Sequence, residues 1–366
     1  VCGSNPGDPM WSIAYPLVLW HTYLHTGDAS LLERHYDGVK RYLESLRREA
    51  GDSHIITRNN YGDWIAVEGT PNDLVSTGSF CLTAAVVADV AEVLGKQDDA
   101  AEYRTLWRRI GDAFNARFLD PSTGVYGNGS QLSYAMPLYL GIAPAERHEA
   151  VLQALVKKIA DHKGHLSTGF VGTPFLMDVL VREGKSDLAY TIATQPDYPG
   201  WGYMIANGAT TIWELWELKT GNAMNSHNHP ALGFVSAWFH EVLAGISIDP
   251  ASPGWKRVIV RPRVLGDLKW AKSSIETIRG KVVSDWSMTD EGLSLAVTIP
   301  AGATGIVHVP KVGKARFVIT EGGKLVYRDG IGVKGMNGVR GGEDVGDSVA
   351  FEVESGSYVF ELVGRG

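Results

Sequence analysis

Apolar residues recur at three- and four-residue intervals along roughly the first 245 residues, which is the spacing of one helix face. Three such sets are Tyr36, Val39, Leu43 and Leu46; Tyr103, Trp107, Ile110 and Phe114; and Leu152, Leu155, Val156 and Ile159. The segments between them are rich in Gly, Pro, Asn and Asp, and they contain many of the Trp, Tyr, His and carboxylate residues. We therefore expect a helical scaffold whose aromatic, polar loops gather at one end and form a site there.

The pattern changes after residue 246, where short β-branched runs are separated by glycine-rich turns. The runs are RVIVRPR, GLSLAVTIP, GIVHVP, ARFVI, KLVY, VAFEVE and YVFELV. In 293–299, Leu and other apolar residues alternate strictly with Ser, Ala and Thr, which is typical of a strand with one buried face. We expect a helical domain over 1–246 and an antiparallel β-sandwich over 247–366. Because helices and strands are segregated, a Rossmann fold or a triosephosphate-isomerase-type barrel is disfavoured.

Residues 208–217 read GATTIWELWE and are followed closely by NSHNHP. Trp213 and Trp216 are three residues apart, as are Glu214 and Glu217, so this spacing predicts an aromatic-rich helical turn. We expect one of the two carboxylates to face inward.

Charge and composition exclude several classes of protein. The formal charge is −7, with no extended basic cluster, so nucleic acid is not expected as a partner. The longest uninterrupted apolar runs are too short to cross a bilayer, and no membrane association is expected. Cys2 and Cys81 allow at most one disulfide.

Motifs for cofactors and metals are missing from the sequence. It has no H-E-x-x-H or C-x-x-C stretch, no phosphate-binding G-x-x-x-x-G-K-[ST] loop and no G-x-S-x-G nucleophile motif. His227 and His229 are two residues apart, without an acidic residue at a usual metal-ligand spacing. We therefore expect neither a metal nor a cofactor.

Carbohydrate chemistry fits the composition better, because sugar sites combine aromatic surfaces with carboxylates and the chain has eleven tryptophans. Glycoside hydrolysis usually needs two carboxyl groups. The candidates are Asp8, Asp63, Glu68, Asp197 and Glu214. For the first four the residue pattern favours turn caps or solvated side chains. The pattern alone is equally consistent with a core position and a site position for Trp11, Trp64 and Trp201. His229 could cap the helix that follows, and for His227 the pattern favours a structural role over a catalytic one.

The stretches WGYMIANGATTIWELWE and MNSHNHPALGFVSAWFHEVLAGI resemble the bacterial α-L-rhamnosidases of glycoside hydrolase family 78. Upstream, DPMWSIAYPLVLWHTYLHTGD, YGDW, LGKQDDAAEYRTLWRRIGDAFNARF and HLSTGFVGTPFLMDVL resemble the same family in the same order. DPASPGWKRVIVRPR resembles the start of its C-terminal β-domain. The resemblance covers nearly the whole chain and weakens over roughly the last fifty residues.

This resemblance implies an (α/α)6 toroid, incomplete at its N-terminal side, that removes terminal α-L-rhamnose with inversion. In the family, the Glu of the TTIWE motif is the general base, which corresponds to Glu214. The His of the MNSxNH motif corresponds to His229, and the tryptophans of PxW and GDW correspond to Trp11 and Trp64. The substrate-binding set expected here is Trp11, Asp63, Trp64, Trp201, His227 and His229.

The family's general acid lies in a D-x-x-x-x-E-x-x-G-W segment, which the resemblance places before this chain begins. Glu217 is expected too close to Glu214 on one helix to serve as the partner of an inverting pair, whose carboxyl groups lie roughly 6.5–9.5 Å apart. Two alternatives stay open: a rhamnose-binding protein without activity, and another toroid sugar enzyme such as an unsaturated glucuronyl hydrolase. The oligomeric state and the compartment are undetermined from the sequence, with a cytoplasmic location favoured over secretion.

Overall fold

The computed structural model describes residues 7–58, 61–222, 224–328, 330–333 and 338–364. The chain divides into two compact units: Val1–Trp20 with Ala29–Phe234, and His21–Asp28 with Val235–Gly366. The first unit is helical, and the second is largely β-structure. Because the helical residues just after Phe234 group with the strands, the compact units divide earlier than the pattern change near residue 246, and the boundary at 246 stays a prediction.

Helices of very different length build the helical part. They are α1 (Pro9–Ser12), α2 (Ala14–Thr26), α3 (Ser30–Ala50), α4 (Asn72–Val93), α5 (Gln97–Phe118), α6 (Gln131–Tyr139), α7 (His148–Asp161), α8 (Gly172–Arg182), α9 (Ser186–Ala193), α10 (Trp201–Ala206) and α11 (Val235–Trp238). Short 3₁₀ turns lie at Gly51–Ser53 and Ala231–Phe234, and a π-helical turn lies at Phe239–Leu243. Asp8 caps α1 and Ser130 caps α6, each with a side-chain oxygen that accepts a backbone N–H.

Helix α4 is the centre of the helical unit. It packs against α3, α5 and α6, and its residues are buried on nearly every side. Gly78 allows the close approach of α6, because a Cβ at this position would lie 2.1 Å from the sulfur of Met136. By length and composition alone α4 could cross a membrane, but 83% of its most apolar window is buried inside the unit, which is the burial of a core helix.

The helical periodicities are confirmed by the buried faces of α3, α5 and α7. Tyr36, Val39, Leu43 and Leu46 are all buried in α3. In α5 and α7 most of the predicted positions are buried, and Trp107 and Val156 are half-buried at the edges of their faces.

Two sheets form the second unit. The strands are β1 (Ile246–Ile248), β2 (Arg257–Val260), β3 (Trp270–Thr277), β4 (Gly280–Met288), β5 (Gly292–Ile299), β6 (Thr304–Pro310), β7 (Phe317–Glu321), β8 (Lys324–Arg328), β9 (Ile331–Gly332), β10 (Val339–Asp344), β11 (Ser348–Val353) and β12 (Gly356–Gly364). One sheet has the order β1-β2-β6-β11-β10, and the other has the order β3-β4-β5-β12-β7-β8-β9. All neighbouring strands pair antiparallel except β2 and β6, which are parallel.

The inward-facing residues of both sheets form one core, as a β-sandwich requires. The predicted alternation is confirmed in β5, where Leu293, Leu295, Val297 and Ile299 are buried and the residues between them are half-buried. Trp286 of β4 is fully buried, and its indole N–H donates to the carbonyl of Leu243 at 2.7 Å.

Cys81 is a buried free thiol in α4, and burial raises its pKa. Cys2 lies outside the described residues, so the possible disulfide stays a prediction.

His308 makes the stability of the β-unit depend on pH. Burial and the nearby guanidinium groups of Arg261 and Arg263 lower the pKa of His308 to about 4, and the carboxylate of Asp347 acts in the opposite direction. The unfolded chain therefore binds a proton at this site between about pH 6.5 and 4 that the folded chain does not bind, and stability is lost as the pH falls through this window. We expect the hydrogen-exchange protection of β6 and β11 to fall more steeply from pH 6.5 to 4.5 in the wild type than in His308→Gln. Parallel curves for the two proteins would contradict this assignment.

Candidate active site

The segment that carries Glu214 is an irregular loop, so the helix predicted over 208–217 is wrong. It follows Gly208, whose φ of +80° ends the turn after α10, and it contains the β-branched run Thr210, Thr211 and Ile212. The loop buries Trp213 and Trp216, while Glu214 is half-buried. Glu217 is exposed and pairs with Lys219 at 3.2 Å. Glu214 and Glu217 therefore do not share a helix, and their carboxylates have different surroundings.

The backbone of this loop is paired with residues 226–229. The N–H of Glu214 donates to the carbonyl of Ser226 at 2.8 Å, and the N–H of His229 donates to the carbonyl of Ile212 at 2.9 Å. The hydroxyl of Thr211 donates to the carbonyl of His227. These bonds hold Glu214 and His229 on two adjacent segments without using the Glu214 carboxylate.

The ring of His229 is oriented from two sides. Its Nδ1 accepts the N–H of Ala231 at 3.3 Å, and the ring stacks on Phe170 with centroids 5.0 Å apart. When the imidazole is neutral, Nδ1 is the acceptor and Nε2 therefore carries the hydrogen. His229 both caps the 3₁₀ turn that follows and presents an N–H donor.

His227 is braced within its own loop. Its ring stacks on Trp213 at 5.1 Å, and its Nε2 lies 3.0 Å from the carbonyl of Lys219. Since Lys219 offers only an acceptor there, Nε2 of His227 is the donor of that bond. The His227 side chain therefore joins its own segment to Lys219 and Trp213.

An aromatic surface lies beside His229, and we define it as Trp11, Tyr61, Trp64, Phe170 and His229. Trp11 and Tyr61 are each 45% exposed, with centroids 5.4 Å apart. Tyr61 meets Trp64 edge-to-face at 5.8 Å, and Trp11 lies 6.3 Å from Phe170. Trp11 and Trp64 were expected in the site, whereas Tyr61 and Phe170 were missed although both adjoin glycines in the aromatic loops.

Trp201, which was expected to contact the sugar, lies in the interior of the helical unit. Its indole N–H donates to the carbonyl of Leu232 at 3.0 Å, and its ring meets Trp216 edge-to-face at 5.2 Å. Trp216 in turn donates its indole N–H to the carbonyl of Thr168 at 2.8 Å. Trp201 and Trp216 therefore tie the Glu214 loop to Leu232 and Thr168 in the interior of the helical unit.

Asp63 was expected to bind substrate, but its carboxylate is buried and both oxygens accept backbone N–H groups. The donors are Gly169 at 2.8 Å, Val171 at 3.0 Å and Gly172 at 2.9 Å, at the start of α8. Burial raises the pKa of Asp63 to about 6, and the three N–H donors act in the opposite direction. The Asp63 carboxylate is therefore buried and joins two loops through backbone N–H groups, and its expected contact with substrate stays a prediction.

The other candidate carboxylates also have partners. Asp8 accepts the N–H groups of Met10 and Trp11, which confirms the capping interpretation. Glu68 pairs with Lys158 at 2.7 Å and lies 3.6 Å from His162. Asp197 pairs with His165 at 2.8 Å, which lowers the pKa of the Asp197 carboxyl.

Among these candidates, the Glu214 side chain stands out because it has no hydrogen-bond or ion-pair partner anywhere in the described part of the chain. Within 7–58, 61–222, 224–328, 330–333 and 338–364, no three or more His, Cys, Asp or Glu residues gather in a way that could hold a metal ion. A half-buried carboxylate, a histidine N–H donor and an exposed phenol ring lie on loops of the helical unit, and an exposed indole lies on α1. Such an arrangement can stack on the apolar face of a sugar, bind its hydroxyls and accept a proton from water.

Comparison with known proteins finds two family matches, one after the other along the chain. Residues 2–243 match the bacterial alpha-L-rhamnosidase six-hairpin glycosidase domain, and residues 245–324 match the bacterial alpha-L-rhamnosidase C-terminal domain. An alpha-L-rhamnosidase of Alteromonas sp. (strain LOR) is 34% identical over 308 residues, covering 79% of this chain and 33% of the relative. One from Streptomyces avermitilis is 33% identical over 359 residues, covering 96% of this chain and 33% of the relative. The chain thus spans about a third of the length of these relatives.

Solved structures agree with this result. An alpha-L-rhamnosidase from Dictyoglumus thermophilum has a TM-score of 0.89 at 38% identity, covering 98% of this chain and 40% of that one. The Streptomyces avermitilis alpha-L-rhamnosidase complexed with L-rhamnose has a TM-score of 0.84 at 31% identity, covering 99% of this chain and 34% of that one. The expected fold class, a six-hairpin helical domain followed by a β-sandwich, is confirmed. The chain belongs to the bacterial α-L-rhamnosidase family of six-hairpin glycosidases.

Proposed function

We propose that the intact protein is an inverting α-L-rhamnosidase in which Glu214 is the general base. The observation that carries this proposal is the Glu214 carboxylate, which has no partner within the described residues and lies on a segment bonded to the one that carries His229. Asp8, Asp63, Glu68 and Asp197 each have other partners. Family membership supports the reaction class, and the relative complexed with L-rhamnose supports the sugar. Terminal α-L-rhamnosyl groups of glycosides or polysaccharides are the proposed substrates.

In the proposed reaction, Glu214 accepts a proton from a water molecule as that water attacks the anomeric carbon of rhamnose. Nε2–H of His229 donates to a sugar hydroxyl, since Nδ1 is already used as an acceptor. The exposed faces of Trp11 and Tyr61 pack on the apolar side of the ring and its methyl group. His227 lines the wall of the site through its stack on Trp213.

The leaving oxygen needs a proton from a second carboxylic acid. We propose that this general acid belongs to a part of the intact enzyme outside this chain, because the candidate carboxylates other than Glu214 have committed partners and the relatives are about three times longer. The chain then holds the base side of the site and most of the sugar-binding surface. If the chain binds L-rhamnose without hydrolysing rhamnosides, the acid lies elsewhere; hydrolysis by this chain would place it within these residues.

Glu214→Gln in the full-length enzyme should lower kcat for p-nitrophenyl α-L-rhamnopyranoside by at least about a hundredfold, because an amide cannot accept the proton from water. L-Rhamnose affinity should change little, since the substitution preserves shape. Glu217→Gln is the matched control, because Glu217 is exposed and its carboxylate pairs with Lys219. Near-normal kcat in Glu214→Gln would refute the assignment of the base.

Trp11→Ala should weaken the binding of L-rhamnose to this chain about fivefold or more, because the sugar loses an exposed indole face. Trp270→Ala is the control, since Trp270 is a tryptophan with 61% exposure on β3 of the other unit. Thermal-shift titrations with L-rhamnose compare the two variants. Equal losses in both would mean that the sugar binds outside the aromatic surface.

A further inference from the structure

Two loops of the helical unit are joined along their length by hydrogen bonds. We call residues 61–70 the GDW loop and residues 164–171 the Phe170 loop. At one end, the buried Asp63 carboxylate accepts the three N–H groups that begin α8. Further along, the N–H of Phe170 donates to the carbonyl of Trp64, and the N–H of Glu68 donates to the carbonyl of Ser167, both at 3.0 Å.

The Phe170 loop is also the place where other parts of the site attach. The Phe170 ring stacks on His229 and lies 6.3 Å from Trp11. The carbonyl of Thr168 accepts the indole N–H of Trp216, two residues after Glu214. A displacement of the Phe170 loop would therefore move the partners of His229, Trp11 and Trp216.

The geometry around Asp63 requires a side chain with two acceptor oxygens. A Cβ at Gly172 would lie 2.6 Å from Oδ2 of Asp63, and a Cβ at Gly169 would lie 2.0 Å from the carbonyl oxygen of Trp64. The loops are thus packed closely enough to exclude a bridging water, and the three N–H groups need Asp63 as their acceptor. An asparagine would place an NH₂ group opposite one of these N–H donors.

We propose that Asp63 is a positioning residue of the sugar site, which acts through the Phe170 loop to set the positions of His229, Trp11 and the Glu214 segment. The naming of the ligand as L-rhamnose rests on the proposed function. The positioning itself is a property of this chain without ligand.

The first test measures amide hydrogen exchange in the ligand-free chain. In Asp63→Asn, exchange should rise in peptides covering 164–171 and 208–217, because the Phe170 loop loosens and Trp216 loses its fixed acceptor. Peptides from α5 should be unchanged, and Asp52→Asn, at an exposed carboxylate in the same unit, should match the wild type throughout. Unchanged exchange in 208–217 of Asp63→Asn would overturn the inference whether or not the chain binds rhamnose.

The second test measures L-rhamnose affinity by titration calorimetry. Asp63→Asn should bind about fivefold more weakly or worse, and Asp52→Asn should bind as the wild type does. In a cycle with Phe170→Leu, the double variant should lose less affinity than the product of the two single losses, since both act through one loop. Fully multiplicative losses would overturn the proposal, and absence of rhamnose binding in the wild type would instead overturn the proposed function.

The third test uses pH, because a purely structural role gives a different profile. Burial raises the pKa of Asp63 to about 6, and the charged side chains on and beside these loops, Asp8, Glu68, Lys158, His162 and His165, are not among the causes of that shift. Protonation favours the folded chain through this group, so its contribution to stability falls as the pH rises from about 4 to 6. Rhamnose affinity should show the opposite trend and weaken below about pH 6, as an acceptor oxygen is lost. The difference between wild type and Asp63→Asn should shrink at low pH; a constant difference would overturn the inference.

Discussion

Backbone hydrogen bonds between loops are the constraint on which the candidate site depends. Apart from Trp11 in α1, the residues of the candidate site lie on segments without regular secondary structure, so the buried N–H and C=O groups of these segments must find partners in one another. The GDW loop pairs with the Phe170 loop, and residues 211–214 pair with 226–229. The buried indoles of Trp201 and Trp216 supply further donors to carbonyls on neighbouring segments. The loops can therefore be irregular and still hold their side chains in fixed places.

The fold was largely predictable because periodicity reports burial directly. The helical set in α3 and the alternating set in β5 each match a buried face, and in both cases one face of the element meets a core. The hairpin of β3 and β4 was missed, since β3 is an edge strand whose exposed positions carry Lys272, Ser274 and Glu276. The parallel pairing of β2 with β6 could not be predicted from the sequence either, because the residue pattern of a strand indicates its buried face but not which strand lies next to it.

The site was less predictable because its chemistry depends on which group meets which backbone atom. The spacing of Trp213 and Trp216 resembles a helix face, yet both are buried in a loop whose partner lies at 226–229. The resemblance to the rhamnosidases directed attention to these loops. It could not show that Asp63 faces three N–H groups, that Trp201 is interior, or that Phe170 lies under His229.

A half-buried carboxylate without a partner lowers stability, because it loses hydration and gains no compensating bond. Within the described residues Glu214 is such a group, whereas the four other candidates gain N–H donors or cations. The protein positions Glu214 through its own backbone N–H, which donates to Ser226, and through the burial of Trp213 and Trp216 on either side. This arrangement suits the proposed role of Glu214 as a base, since a carboxylate whose two oxygens were already bonded to the protein would have none left for water. Fixing the segment through its backbone and indoles leaves both oxygens of Glu214 available for chemistry.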